Sequence, residues 1–557
     1  MVLDAVREVT GWARVLARVA VRSELAEGAS PEASLLAARL LGSGRAGIST
    51  IFRVRAVGDA RRPAFVWRGR TIDFATVDDR VDRLAAGLRR RGIKRRDAVA
   101  LVLRNRPEFF EVEGAMARVG GSAVSVSWRS TAAELRYLLG HSGAKAVFFE
   151  HDLAGVIEEA ARDLPAITRD RLIAVDGDAP GMTRYDDVLD SAKTRDLDEE
   201  DGAVVIYTSG TTGRPKGAVR RFGLGQVLGF AAFMERVPLR RSDRHLCVCP
   251  LYHSTGLGFA GMSLMVGGAV VLEPDFEPLR FLRAIERERV TTTALVPTML
   301  HRLMALDPAV IRGHATRSLR VMLCGGAQLP APLAARTLDA FGEVLYNFYG
   351  ATETGLVTVA TPADLRALPG TIGRALHGVS IRLLDDAGAA VGPGEVGELY
   401  ARSSMLVEGY HADDEATRSS IRDGHFSVGD LATVDTAGRY MIVGRRRDMV
   451  ITGGVNVYPA EVEAIIDAHP AVAQSAVIGL PDDEWGERLR AFVVLRSSED
   501  VADPRALAQE LKQWCRERAS GAKVPREWAF VAGLPSNPTG KVLKRELRDW
   551  SGTPVAV

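Results

Sequence analysis

Apolar positions along the chain follow two alternating rhythms. Short runs rich in aliphatic and β-branched residues, at 97–103 (DAVALVL), 145–150 (KAVFFE), 245–249 (HLCVC), 291–296 (TTTALV) and 320–326 (RVMLCGG), read as buried strands. Between them, residues 76–91, 131–140, 278–289 and 331–341 space their apolar side chains at helical intervals. Such alternation predicts an α/β protein of layered, largely parallel sheets. The texture changes around 380–445, where IRLLDDAGAAVGPGEVGELYA carries the short strands and turns of a β-rich, antiparallel subdomain. After GRRRD at 444–448 a smaller α+β unit follows, with helices near 460–468 and 504–518. At 557 residues the chain exceeds what one core usually serves. The predicted organisation is an N-terminal extension over 1–48, a large domain over 49–446 and a small C-terminal domain over 447–557.

The extension has its own pattern. Asp4, Arg7, Glu8, Gly11, Arg14, Arg18 and Arg22 fall on one helical face, and Val2, Val9, Trp12, Leu16 and Val19 on the other. An amphipathic helix with a basic polar side can lie in a membrane interface, although packing onto its own protein is the commoner fate. The cluster RRRGIKRR (89–96) resembles a nucleic-acid patch. It stands where a helix ends at Gly92, so cations near a helix C-terminus in a solvated turn explain it better.

Composition narrows the classes. A 46% hydrophobic and 25% charged chain of net charge +2 is an ordinary globular protein, with no global field to recruit nucleic acid. The four cysteines, Cys247, Cys249, Cys324 and Cys515, lie mostly in apolar runs without metal-site spacing and read as reduced core residues of a cytoplasmic protein. No apolar stretch is long enough to span a bilayer, and Asp4 and Glu8 stand where a signal peptide would be basic and then apolar.

One stretch concentrates chemistry. YTSGTTGRPKGAVR (207–220) follows the strand-like GAVVIY and precedes a helical pattern beginning near 223. Glycines let backbone N–H groups approach a ligand closely, Thr208, Ser209, Thr211 and Thr212 add hydroxyls, and Lys216 adds a mobile cation, a combination suited to polyphosphate. The P-loop pattern fails, because Pro215 precedes Lys216 and Gly217 follows it. The alternative, a flexible linker, does not suit a run flanked by strand and helix.

Seven motifs in order resemble the adenylate-forming superfamily of acyl-CoA synthetases, aryl-CoA ligases, adenylation domains and luciferases. They are YTSGTTGRPKG (207–217), PLYHSTG (250–256), GGAQLP (325–330), YNFYGATETG (346–355), FSVGD (426–430), GRRRDMVITGGVNVYPAEVE (444–463) and NPTGKVLKREL (537–547). The resemblance covers most of the chain after the extension and is strongest to fatty-acyl-CoA ligases.

What the resemblance implies makes physical sense. Attack of a carboxylate on the α-phosphorus of ATP brings two anions together, so cations must offset the repulsion. Thr208, Ser209, Gly210, Thr211, Thr212, Gly213 and Lys216 would cradle phosphates, and Thr208 with Glu353 would hold Mg2+. Gly326, Ala327, Asn347, Tyr349, Gly350 and Thr352 resemble the adenine cleft, Asp430 the carboxylate that accepts the ribose hydroxyls, and Arg445 its partner. Lys541 resembles the lysine that a mobile C-terminal domain brings to the reacting carboxylate. Rotation about Arg447 would then present Gly453 and Gly454 to the pantetheine arm of coenzyme A. Arg447 departs from the Lys or Asp common at that hinge. His253 would line the acyl channel in a positioning or gating role.

The implied activity is ATP-dependent ligation of a carboxylic acid, with a medium- or long-chain fatty acid leading, to coenzyme A through an acyl adenylate. Competing readings are an acyl-AMP ligase that loads a carrier protein, a luciferase-like oxygenase, and a non-catalytic membrane-associated scaffold.

Overall fold

The computed structural model describes every residue except Met1, 26–29, 44–45, 190–201, 209–215, 408, 411–413, 453–454, 497–502, 520, 537–541 and 557. Two sheets dominate its first two-thirds. In one, Ala98–Val102, Ser122–Ser125, Ala144–Glu150, Leu172–Val175 and Ala203–Thr208 pair in parallel. In the other, Pro63–Trp67, Ala269–Leu272, Arg244–Cys247, Thr292–Leu295, Val321–Cys324 and Leu345–Ala351 do the same. Both sheets are covered on two faces, which is why their strands read as unbroken apolar runs.

Helices Pro107–Val119 and Ser254–Val266 share one buried core with strands of both sheets, joining Phe65 and Val270 of one to Leu101, Phe148 and Ile206 of the other. The predicted strands and helices thus recur within a few residues of their expected bounds, for example Phe74–Arg90, Ala132–Ser142, Pro278–Glu288 and Ala331–Phe341. The antiparallel region follows as Ser380–Leu384, Gly397–Arg402, Asp430–Val434 and Tyr440–Arg445. The C-terminal unit sets helices Pro459–Asp467 and Pro504–Arg516 against the long hairpin Val472–Asp482 and Gly486–Leu495. All four cysteines are buried and unpaired, and burial raises each thiol above its ordinary range.

The glycine-rich loop departs from the expected strand, loop and helix. Lys216–Arg221 returns as a strand antiparallel to Ala203–Thr208, with Thr208 opposite Lys216, so the loop closes a hairpin. The helix Leu224–Met234 begins only after that return.

The N-terminal helix forms as Val2–Arg22, and the described part of its apolar face is largely covered by protein. Val15 and Val19 are 2% and 4% exposed in a core shared with Phe233 and Met234, and Trp12 packs edge-on against His377 at 4.7 Å. Leu16, assigned to that face by the sequence pattern, is 43% exposed, and Val15 takes its place. Two of the arginines expected to face a bilayer bind protein instead: Arg18 pairs with Glu235 at 3.0 Å and Arg22 donates to the Glu235 carbonyl. Packing onto the protein thus accounts for the described part of the apolar face, while the side chains of Val2, Asp4, Arg7, Glu8 and Val9 lie outside the described residues. Among the described residues no helix is long and apolar enough to cross a membrane. Arg89 and Arg90 lie in the last turn of Phe74–Arg90, ahead of Gly92 at φ +78°, as the capping account of 89–96 requires.

Candidate active site

A cavity of about 1770 Å³ opens between the two large sheets, the antiparallel subdomain and the C-terminal unit. Its polar side is built on one strand pairing. Asp430 and Arg445 are register partners in adjacent antiparallel strands, which sets Arg445 Nε 2.9 Å from Asp430 Oδ1. The other carboxylate oxygen accepts from the Tyr349 hydroxyl at 2.8 Å. Asp430 is 7% exposed, held between a cation and a phenol before any ligand arrives. Burial and this neighbouring carboxylate push the Tyr349 hydroxyl well above its ordinary pKa, so it stays a donor.

Leu345–Ala351, the strand that carries Tyr349, also carries Asn347, which is 2% exposed. Its amide nitrogen donates to the Thr371 carbonyl at 2.8 Å, which leaves the amide oxygen as an acceptor for a ligand. Gly325, Gly326 and Ala327 leave the neighbouring strand end. A side chain at Gly325 would lie 2.5 Å from the Phe348 carbonyl, and Gly326 adopts φ +81°, so both positions need glycine. At Gly350 an added Cβ would come within 2.1 Å of the Gly355 carbonyl, where the strand is irregular.

Lys216, Thr352 and Glu353 line the same cavity. Glu353 is 7% exposed, and the Thr352 hydroxyl lies 3.3 Å from that of Ser254. Arg220, which the motif reading missed, is half-buried among them. It donates to the Thr352 and Met405 carbonyls, and burial lowers its pKa to about 10 even though Glu353 acts to raise it. It shares a face of its strand with the fully buried Ala218, and a cation on the buried parity of a strand is the signal that could have found it.

His253 occupies the N-cap position of the helix Ser254–Val266 and lines the cavity, its ring 4.6 Å from that of Tyr252. Its buried Nε2 meets no hydrogen-bond partner among the described residues, and burial lowers its pKa to about 4. The ring is therefore neutral at physiological pH, which suits a group that contacts or positions an acyl carbonyl. In this helix, an added Cβ at Gly258 or Gly261 would meet nothing within 4 Å, so both leave open space on the cavity wall.

Several expected residues fall elsewhere. Ser209, Gly210, Thr211, Thr212, Gly213, Gly453, Gly454 and Lys541 lie outside the described residues, as does the Thr208 side chain. Their flanks do reach the site: Thr208 and Lys216 close the hairpin, Val542, Leu543 and Lys544 line the cavity, and Arg447 stands at its edge. No cluster of three metal-ligating side chains occurs among the described residues. The oxygen donors at hand, Glu353 and the Thr208 strand end, are the kind that a hard cation takes along with phosphate and water.

Comparison with known proteins gives the family. Residues 52–411 match the AMP-binding enzyme family and residues 461–541 its C-terminal domain. A feruloyl-CoA synthase of Amycolatopsis sp is 36% identical over 483 residues, covering 86% of this chain and 94% of that protein. A 2-succinylbenzoate–CoA ligase of Geobacillus kaustophilus is 34% identical over 501 residues, covering 88% and 94%. Among solved structures, the anthranilate CoA ligase AuaEII in complex with anthranoyl-AMP superposes with a TM-score of 0.84 at 26% identity, covering 90% of this chain and 97% of that one.

Proposed function

The chain belongs to the AMP-binding enzyme family, and from that premise we propose that it is an AMP-forming acid–CoA ligase whose acid is aromatic. ATP, Mg2+ and coenzyme A are its co-substrates and metal, as in adenylate-forming CoA ligases generally. A fatty acid, the leading reading of the motifs, is placed second: most of the relatives are named for feruloyl, succinylbenzoate and indoleacetate substrates, although a fatty acid–acyl-carrier-protein ligase of Streptomyces coeruleorubidus is also 30% identical. The observation that carries the reading is Asp430. A carboxylate pinned by Tyr349 and Arg445 on the wall of a cavity that also holds Lys216, Glu353 and His253 joins a diol-binding acceptor to an acyl chamber.

In this reading Asp430 accepts the ribose hydroxyls and the Asn347 amide oxygen accepts the adenine amino group. Lys216 and Arg220 supply positive charge where carboxylate and phosphate approach each other. Bound at Glu353 and Thr208, magnesium would supply charge neutralisation of the phosphate oxygens. Neutral His253 borders the acyl carbonyl. Lys541, together with Gly453 and Gly454, is assigned to the C-terminal domain, 447–557, which serves adenylation with one face and thioester formation with the other.

The test is a panel of aromatic and aliphatic carboxylic acids with ATP, Mg2+ and coenzyme A, scored separately for pyrophosphate and thioester. Aromatic acids should give both products. Pyrophosphate without thioester would favour transfer to a carrier protein, and faster use of long-chain acids would restore the fatty-acid reading.

A further inference from the structure

The acyl chamber runs from His253 away from the nucleotide side. Along one wall the helix Ser254–Val266 presents Leu257, Gly258 and Gly261, and along the other the strand Ala203–Thr208 presents Val204 and Ile206. Helix Pro107–Val119 backs that strand and is buried at every residue except Glu108. Three of its charged residues lie in this buried environment, and two of them are paired. Glu111 accepts from Arg80 at 2.7 Å and from the Tyr185 hydroxyl at 2.5 Å, while Arg118 binds Asp78 and Asp82.

Glu113 is different. It is 1% exposed and lines the chamber, and neither of its oxygens meets a hydrogen-bond partner among the described residues. The Ser125 hydroxyl lies close enough to act on the Glu113 carboxyl as a hydrogen-bonding group would, lowering its pKa, but neither group makes a hydrogen bond of good geometry to the other or to any described residue. Burial raises Glu113 well above the carboxylate range and so favours the neutral acid, which has one donor and one acceptor oxygen. Leaving such a group without a partner costs about 1–3 kcal/mol. The helix that satisfies Glu111 and Arg118 with protein groups leaves Glu113 for something that enters the chamber.

Its height limits what that is. Ser125 is the register partner of Ile206, two residues before Thr208, or about 7 Å of strand below the phosphate loop. A ring joined to the carboxylate by a short linker spans that distance, whereas a long alkyl chain overshoots it.

We propose that Glu113 receives a neutral hydroxyl carried on the end of the substrate acid remote from its carboxylate. The hydroxyl donates to the Glu113 carbonyl oxygen and accepts from its O–H. This rests on the acid–CoA ligase reading and specifies the acid. The shared chemistry could come from a phenol or from a terminal alcohol, so two substrate pairs are needed: 4-hydroxycinnamic against cinnamic acid, and 8-hydroxyoctanoic against octanoic acid.

In the wild type, kcat/KM for thioester formation should favour the hydroxylated member of at least one pair by about tenfold or more. Glu113→Gln, which keeps a neutral donor and acceptor, should retain that preference, and Glu113→Leu should abolish it chiefly through KM. A preference in the phenolic pair alone identifies hydroxyaryl acids, and one in the aliphatic pair alone identifies hydroxyalkyl acids. Equal use of both members in both pairs by the wild type, or an undiminished preference in Glu113→Leu, overturns the assignment. If no acid yields pyrophosphate or thioester, the ligase reading fails. Glu113 is then judged by the rise in melting temperature that each acid induces: a larger rise with the hydroxylated acid, lost in Glu113→Leu, supports the assignment, and equal rises overturn it.

Discussion

The two halves of the cavity are built on different principles. On the nucleotide side the described polar groups are positioned by protein contacts: Asp430 by Tyr349 and Arg445, the Asn347 amide nitrogen by the Thr371 carbonyl, Arg220 by two carbonyls. On the acyl side, polar atoms stand without partners and glycines face open space, as with His253 Nε2, Glu113, Gly258 and Gly261. A ligand common to a whole family can be met by a fixed arrangement, paid for in advance by strand pairing and close backbone approach. A ligand that differs between members needs room and unsatisfied groups, which scattered positions supply. The contrast can be broken or sharpened by variants on each side.

The largest effect should come from the nucleotide side. Asp430→Ala removes the acceptor for two ligand hydroxyls and strands Arg445 and the Tyr349 hydroxyl. At about 1.5–3 kcal/mol for each charged hydrogen bond, kcat/KM for ATP should fall by about two to four orders of magnitude with the acid's binding little changed. Steady-state kinetics with ATP varied checks it, and an unchanged value means that the nucleotide lies elsewhere.

Next in size is a pH effect that belongs to the acyl side. His253 has a folded pKa of about 4 against an ordinary 6.5, because burial disfavours its charged form. Between those values the unfolded chain takes up a proton that the folded one refuses, so this stability is complete above pH 6.5 and is lost as pH falls toward 4. At pH 5 the loss should be at most about 2 kcal/mol. His253→Gln should lose less stability than the wild type between pH 7 and pH 5 in denaturant melts. Identical pH dependence of the two proteins would mean that His253 is solvated.

A filling variant acts on the acid alone. Gly261→Phe projects a ring from a cavity-lining position whose added Cβ meets nothing within 4 Å, and a melting-temperature measurement first checks that the protein folds. KM for a bulky aromatic acid should rise by about tenfold, equivalent to 1.4 kcal/mol, while KM for ATP holds. If both constants rise together, the two halves are not independent.

Legibility in the sequence follows the same division. The layered sheets were readable because buried parallel strands are continuous apolar runs, as at 97–103 and 320–326. The positions of Asp430, Tyr349, Asn347 and Lys216 were readable because their motifs bring them to one cavity. The strand Lys216–Arg221 was not, since KGAVRR lacks an apolar alternation and owes its form to pairing with Ala203–Thr208. Arg220 and Glu113 were hidden for a related reason. A charge inside a buried element looks like a surface charge until its neighbours are known. On the N-terminal helix the apolar and basic faces were legible, but what covers them was not, because Phe233, Glu235 and His377 lie far away in sequence.

The smallest effect tests whether the open space on the acyl wall is kept for the ligand. Gly258 lies inside the helix Ser254–Val266, where glycine costs about 0.5–1 kcal/mol relative to alanine. An added methyl there would meet no atom within 4 Å, so the fold gives no reason for the glycine. Gly258→Ala should therefore raise stability by about 0.5–1 kcal/mol, seen as a small upward shift in melting temperature. If the glycine serves the acid, the same variant should raise KM for the bulkiest acids and spare the smallest, with kcat/KM for ATP constant. A melting temperature that falls would show that the helix is already strained or crowded at this point, and the acyl wall would then be as fully packed as the nucleotide side.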